Sequence, residues 1–290
     1  MQYLFYILGA GSLWGIISIF VSQLQQSGFS SLEVVALRAL CTSIVMLIWI
    51  LWREPKKIYI KWHDLPYFLG TGICSIVLFN YCYFYAIKLI GGSAIPALLL
   101  YTAPAFVLLF SAIFFKEHIN KEKFIALIVV FLGLILVTGA FSSEQQVSLT
   151  ACLWGLGAGF GYALYSIFGK FVVDRYDAST ITFYTFLIAS IATVPFSGIL
   201  EHVHVLFAQQ VILSVIGMGV FCTVLPFLLY TKGLSGMEAG RASLAATIEP
   251  IVAALVGIFY FNEQISLTEG IGMLLVLSSI IALNLFEKDK

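Results

Sequence analysis

The chain has 290 residues, 61% of them hydrophobic and only 10% charged. A soluble domain carries about a quarter charged residues, so this composition excludes a soluble protein and points to an all-α membrane protein that crosses the bilayer many times. Fifteen Lys and Arg balance fifteen Asp and Glu, and a neutral chain gives no electrostatic reason to expect a nucleic-acid partner.

A membrane-spanning helix needs about 20 apolar residues. Ten such stretches follow in order: Tyr3–Ser22, Leu32–Trp52, Leu65–Ile87, Ser93–Phe115, Phe124–Phe141, Leu149–Phe171, Ser179–Gly198, Gln209–Thr231, Ala239–Phe261 and Leu267–Phe286. The short connections leave no room for a soluble domain, and a β-barrel would show alternating segments of about ten residues instead. The N-terminus, MQYLFYILGAGSLW, lacks the basic region that opens a signal peptide and reads as the start of a retained helix. Cys41, Cys74, Cys82, Cys152 and Cys222 all lie in apolar stretches. Their spacing matches neither a zinc site nor a disulfide framework, and no metal or cofactor is expected.

Thirteen of the fifteen Lys and Arg fall on the side of the N-terminus, Lys88 alone falls on the other, and Arg38 lies within the second span. The positive-inside rule then places both termini in the cytoplasm, with the protein in the plasma or inner membrane. The loop SSEQQVS from Ser142 has no Lys or Arg, as an outer loop should. Trp49, Trp52 and Trp62 flank the inner surface as an aromatic belt would.

The ninth span carries one acid, Glu249, near its middle, and Pro250 directly after it breaks the helix ladder there. An unpaired carboxylate at that depth costs several kcal/mol. The fourth span has the same plan. At an offset of 146, Pro104 aligns with Pro250, Phe115 with Phe261, Glu117 with Glu263 and Ile119 with Ile265, while Ala103 stands opposite Glu249. At 148, Gly9-Ala10-Gly11 matches Gly157-Ala158-Gly159 and Ser18-Ile19-Phe20 matches Ser166-Ile167-Phe168; at 145, Gly72, Tyr85, Leu89 and Gly91 match Gly217, Tyr230, Leu234 and Gly236. The chain thus divides into two related five-span halves, 1–144 and 145–290. An odd number of spans per half inserts the second half upside down. The expected architecture is ten transmembrane helices in two inverted five-helix repeats around a central cavity, with the site at the midplane.

These phrases, Tyr101-Thr102-Ala103-Pro104 with Phe115-Lys116-Glu117 and Thr247-Ile248-Glu249-Pro250 with Phe261-Asn262-Glu263, together with the ten spans, make the chain resemble an EamA-type member of the drug/metabolite transporter superfamily. The resemblance covers essentially the whole chain. It implies a cavity surrounded by helices 1, 3, 4, 6, 8 and 9, with 5 and 10 at the back. It also implies a cargo drawn from amino acids, amines, nucleotide-related compounds, sugar phosphates and drugs. Phosphorylated cargo would call for basic residues in the cavity, where this chain offers only Arg38, Lys88 and Lys170.

Glu249 is read as binding a cationic group or carrying a proton; the plainer alternative is a structural acid that caps the broken backbone or pairs with a base. Arg38, about 10 Å into its span at 1.5 Å per residue, either bridges to Glu249 or snorkels outward to Glu33. Trp14 and Ser18 share a helix face with Gly11 and Gly15, and Tyr162 and Ser166 repeat the pattern with Gly159 and Ala163. The glycines suit tight helix contact; Trp14 and Tyr162 either pack or line the cavity. Asn80 and Phe84 share a face of helix 3, where Asn80 either bonds a neighbouring helix or faces the cargo. Tyr101, just before Pro104, offers a phenol to the cargo. Glu117 and Glu263 read as caps or surface pairs, and His202 and His204 as a loop exposed to water.

The expected function is secondary transport of a small organic solute, an amino acid, amine or related metabolite, with export one direction open to it. Alternating access is the expected mechanism, proton coupling an option, and the protein a monomer or homodimer in the lipid bilayer. A membrane-embedded enzyme would need its own constellation, and HExxH, GxSxG and DDxxD are absent, with His63, His118, His202 and His204 all in loops. A channel would show charged or carbonyl-rich filters in symmetric copies, and none is evident.

Overall fold

No water reaches the hydrocarbon of a bilayer, so every backbone N–H and C=O of a span must be satisfied within the chain, and helices do this segment by segment. The computed structural model describes residues 2–139, 147–264 and 266–286, and these form helices and turns with no strand among them. The boundary at 144/145, Ser143 in the central loop, Ile265 of the repeat and the tail lysines Lys288 and Lys290 lie outside the described residues.

Eight helical segments are long and apolar enough to cross a membrane: α1 Gln2–Gln26, α2 Ser31–Arg53, α3 Trp62–Ile90, α4 Ala94–Phe115, α6 Leu149–Lys170, α7 Ala178–Phe196, α8 Gln209–Leu234 and α9 Ala239–Phe261. Two further helices stand where spans were expected. In α5, Lys121–Thr138, the first turn is occupied by Lys121, Glu122 and Lys123, which shortens its apolar run; α10 is Leu267–Phe286, apolar over the stretch Leu267–Leu283. They pack along each other, so closely at Gly133 that an added Cβ would lie 2.8 Å from the Gly272 carbonyl oxygen.

Elements from the two ends of the chain interleave. α1 packs on α8 and α9, α6 packs on α3 and α4, and α7 packs on α2. The small residues predicted for tight contact make it: a Cβ on Gly15 would lie 2.7 Å from the Glu249 carbonyl oxygen, and one on Gly159 would lie 2.8 Å from that of Leu99. Each glycine face therefore rests on the other half's broken helix at its break.

The breaks themselves match. α4 is interrupted at Tyr101–Thr102 and α9 at Thr247–Ile248, with Pro104 and Pro250 in the first turn of the helix that resumes. Thr102 Oγ1 donates to the Leu99 carbonyl and Thr247 Oγ1 to the Leu244 carbonyl, both at 2.6 Å. Each hydroxyl joins its own backbone amide on that carbonyl, at 3.2 Å in both breaks, where the regular helical bond is lost. α3 and α8 each contain a π-helical stretch, Gly70–Val77 and Val220–Val224, a wide turn often found at functional sites.

Candidate functional site

A cavity of about 940 Å³ enters between the helices from the end that carries Lys88, Ser93 and Gln264 and reaches down to the breaks of α4 and α9. Helices 1, 3, 4, 6, 8 and 9 all line it. So does α2, which supplies Arg38, and α5 and α10 reach it through Val137, Thr138, Glu269 and Met273. Trp14, Arg38, Asn80, Phe84, Tyr101, Tyr162, Ser166 and Glu249 all face this one space.

Glu249 opens the second half of α9. There its charge faces the positive end of the helix dipole, which stabilises it by a fraction of a kcal/mol to about 2 kcal/mol. Tyr162 of α6 donates to Glu249 Oε2 at 3.0 Å, and the Tyr101 hydroxyl is directed at the same carboxylate. Two phenols solvate the acid without neutralising it.

Arg38 does neither of the things its position suggested. Among the described residues no ion pair joins it to Glu249, and its charge acts on the acid only at a distance. Its Nε donates to Thr223 Oγ1 at 2.9 Å, and its guanidinium carbon lies 5.9 Å from the Phe227 ring centre. Thr223 sits in the π-helical stretch of α8 and bonds back to the Met218 carbonyl at 3.0 Å. That wide turn, invisible in the apolar sequence around it, creates the seat. Outward snorkelling to Glu33 fails because Glu33 is already engaged. It closes the capping box at Ser30 and lies 2.6 Å from His202 Nδ1. His202 is thus tied to α2 and not merely wet.

Asn80 also finds a partner other than a neighbouring helix: its Nδ2 donates to the Ile76 carbonyl of its own helix at 2.7 Å, a carbonyl within the π-helical stretch of α3. Trp14 and Tyr162, repeat counterparts, meet edge to face with ring centres 6.2 Å apart. Trp14 also touches Phe227 at 5.2 Å and Tyr230 at 5.4 Å. Ser166 Oγ bonds the Tyr230 hydroxyl at 2.6 Å. Tyr230, Phe227, Tyr83 and Tyr165 also line the cavity and were not singled out from the sequence. Tyr230 had a signal, its match to Tyr85 across the repeat, but Tyr85 is turned away from the cavity onto Trp154, with ring centres 4.8 Å apart.

This geometry can be set beside known proteins. The EamA-like transporter family matches residues 1–139 and 149–285. The chain belongs to the EamA-like transporter family. It is a membrane transporter and a multi-pass integral membrane protein, with the bilayer and a small solute as its partners. An uncharacterized transporter of Archaeoglobus fulgidus is 32% identical over 188 residues, 65% of this chain and 66% of that relative, so the match spans just under two thirds of its length. A second from the same organism is 28% identical over 76% of this chain and 78% of its own. The uncharacterized transporter YwfM of Bacillus subtilis is 23% identical over 97% and 93%. A crystal structure of a protein 17% identical in sequence covers 99% of this chain and 98% of its own, with a TM-score of 0.83; at that identity the likeness shows the fold alone.

In this EamA-like transporter the end opposite the mouth is shut by charged side chains that bind backbone or each other. Glu117, after α4, accepts from the Ala239 and Gly240 amides at the start of α9 at 2.8 and 3.2 Å. Lys170 was counted among the few basic groups available to a cavity. Its Nζ instead donates to the Leu234 and Met237 carbonyls at 2.9 and 2.8 Å, tying α6 to the end of α8. Lys123, buried, pairs with Glu238 and donates to the His118 carbonyl at 2.8 Å.

Proposed function

We propose that this transporter moves a small organic solute carrying a positively charged amino group, an amino acid, amine or related metabolite, by alternating access of two inverted five-helix halves. The observation that carries the reading is the Glu249 carboxylate in the cavity, held by hydroxyls and not by a base. A buried carboxylate without a countercharge is costly, and an ammonium group entering the cavity supplies one. Arg38, its guanidinium over Phe227 in the same cavity, suits the carboxylate of a zwitterion.

Several matches support the inverted-repeat architecture: the threonine bonds at both breaks, the π-helical stretches in α3 and α8, and packing that survives exchange of the halves. α1 on α8 then answers to α6 on α3, and α1 on α9 to α6 on α4. The Lys and Arg distribution supports cytoplasmic termini in a plasma or inner membrane, and with them a mouth that opens outside. We take the protein as a monomer or homodimer that works without a cofactor. A proton at Glu249 is the second reading, favoured by the same isolation of the carboxylate.

Purified protein in liposomes decides between them. Counterflow of amines and amino acids should be saturable, and solutes that bind should raise the melting temperature in proportion to concentration. If amines and zwitterions neither exchange nor stabilise while uncharged solutes do, the ammonium reading is wrong.

A further inference from the structure

α4 and α9 end alike. Lys116 and Asn262 both adopt a left-handed conformation with φ of 57°. The next amide then turns back onto the helix in each case, Glu117 to the Ser111 carbonyl at 3.3 Å and Glu263 to the Gly257 carbonyl at 3.0 Å. Glu117 and Glu263 therefore stand in the same local frame at opposite ends of the molecule. Their side chains do different things. Glu117 crosses to α9 and caps it at Ala239 and Gly240. Glu263 is exposed at the mouth, lies back against Gly257 of its own helix, and takes no hydrogen bond among the described residues. The counterpart of the amides that Glu117 binds is the start of α4. It lines the same mouth and has no side-chain cap.

The other contacts that shut the far end have no copies. At offsets of 148, 146 and 145, Lys170, Lys123 and Glu238 correspond to Ser22, Glu269 and Ser93, so neither the lysine bonds nor the ion pair can be repeated. The cap is the one closing contact of the three that both ends can make.

We propose that Glu117 and Glu263 form an alternating latch: Glu117 caps α9 while the mouth is open, and Glu263 caps α4 at Ala94 and Ile95 when the mouth closes and Glu117 lets go. The latch rests on the rocking of the two halves proposed above. A carboxylate on free helical amides makes charge-assisted hydrogen bonds, so each latch holds one state and is absent from the other.

Spin labels on cysteines at Lys88 and Gln264 span the mouth, and labels at His118 and Lys232 span the far end. In bilayer discs the wild type should show a long and a short distance at each pair, in reciprocal proportion. Glu117→Gln should shift the ratio about tenfold toward the closed mouth, the size expected for one charged hydrogen bond. Glu263→Gln should shift it about tenfold toward the open mouth, and the double variant should return it near the wild-type ratio. Reciprocal populations that both single variants leave unmoved, or move in the same direction, overturn the latch alone. A wild type whose two ends do not change reciprocally overturns the rocking and the latch with it. Should Glu117→Gln fail to fold, Glu263→Gln decides, since its carboxylate takes no hydrogen bond among the described residues in the state described.

Discussion

At the scale of single residues, the proposed function turns on one carboxylate held where charge is expensive. Tyr162 and Tyr101 offer Glu249 hydroxyls, and α9 offers the start of a helix. Glu249→Gln keeps the volume and removes the charge. If the acid binds an ammonium group, affinity for the cargo should fall by about 1–3 kcal/mol, the range for a hydrogen bond to a charged group, with the melting temperature little changed. If it carries a proton, Glu249→Gln should keep cargo exchange and lose accumulation driven by a pH gradient. Uptake by proteoliposomes with and without the gradient separates the two, and unchanged affinity and pH response would remove Glu249 from the mechanism. Tyr162→Phe removes a single hydroxyl and should weaken cargo binding by about 1 kcal/mol. Titration calorimetry on the purified protein checks it, and tighter binding would show that Tyr162 competes with cargo for the acid. Arg38 is the case that the sequence could not resolve. Depth along a helix permits a bridge to Glu249, but the backbone bulge that presents Thr223 leaves no trace in the apolar residues of α8.

The elements explain why the site stands where it does. Glu249 and Tyr101 sit at breaks, and the breaks are tolerated because Thr102 and Thr247 occupy carbonyls there and because α6 and α1 cover them closely. The cover depends on glycine. A Cβ at Gly15 would lie 2.6 Å from Val252 Cβ and 2.7 Å from the Glu249 carbonyl oxygen, so Gly15→Ala must push α1 off α9 beside the acid. We expect a loss of about 1–3 kcal/mol in stability, the usual range for overpacking, together with weaker cargo binding, read by thermal melting of the purified variant. Gly9→Ala serves as the control, because its Cβ would meet only Leu229 at an ordinary 3.5 Å. Equal melting temperatures for Gly15→Ala and the wild type would show that the helices part freely. The glycine rows, the prolines and the acid were legible in the sequence because each is a residue type with a definite backbone or solvation consequence. The aromatic lining was legible only in part. Phe and Tyr are common in every span, and only the fold separates Tyr230, in the cavity, from Tyr85, on Trp154.

For the whole molecule the open question is which way it lies in the membrane. The spans follow from apolar length, but orientation is set by a few charges in loops. In the stretch 54–64, Lys57 pairs with Glu54 at 2.5 Å and Asp177 at 3.1 Å, and Tyr184 donates to the Ile58 carbonyl at 2.5 Å. Arg175 pairs with Asp64, and the Tyr176 hydroxyl donates to Asp64 Oδ2 at 2.6 Å. These contacts join the α2–α3 connection to the start of α7 and to the loop before it, and so place the chain's densest run of basic residues on the same face as the closed end. In the orientation proposed above, that face is the cytoplasmic one. Single cysteines at Tyr59, on that face, and at Phe207, on the other, are exposed at 79% and 76% and can be introduced after the five native cysteines are replaced. In intact cells an impermeant maleimide should label Phe207→Cys and reach Tyr59→Cys only after permeabilisation. The reverse pattern would turn the molecule over, so that the cavity described here opens to the cytoplasm and the resting state is one that loads from within. Labelling of both positions from one side would break the alternation of spans on which the inverted repeat depends.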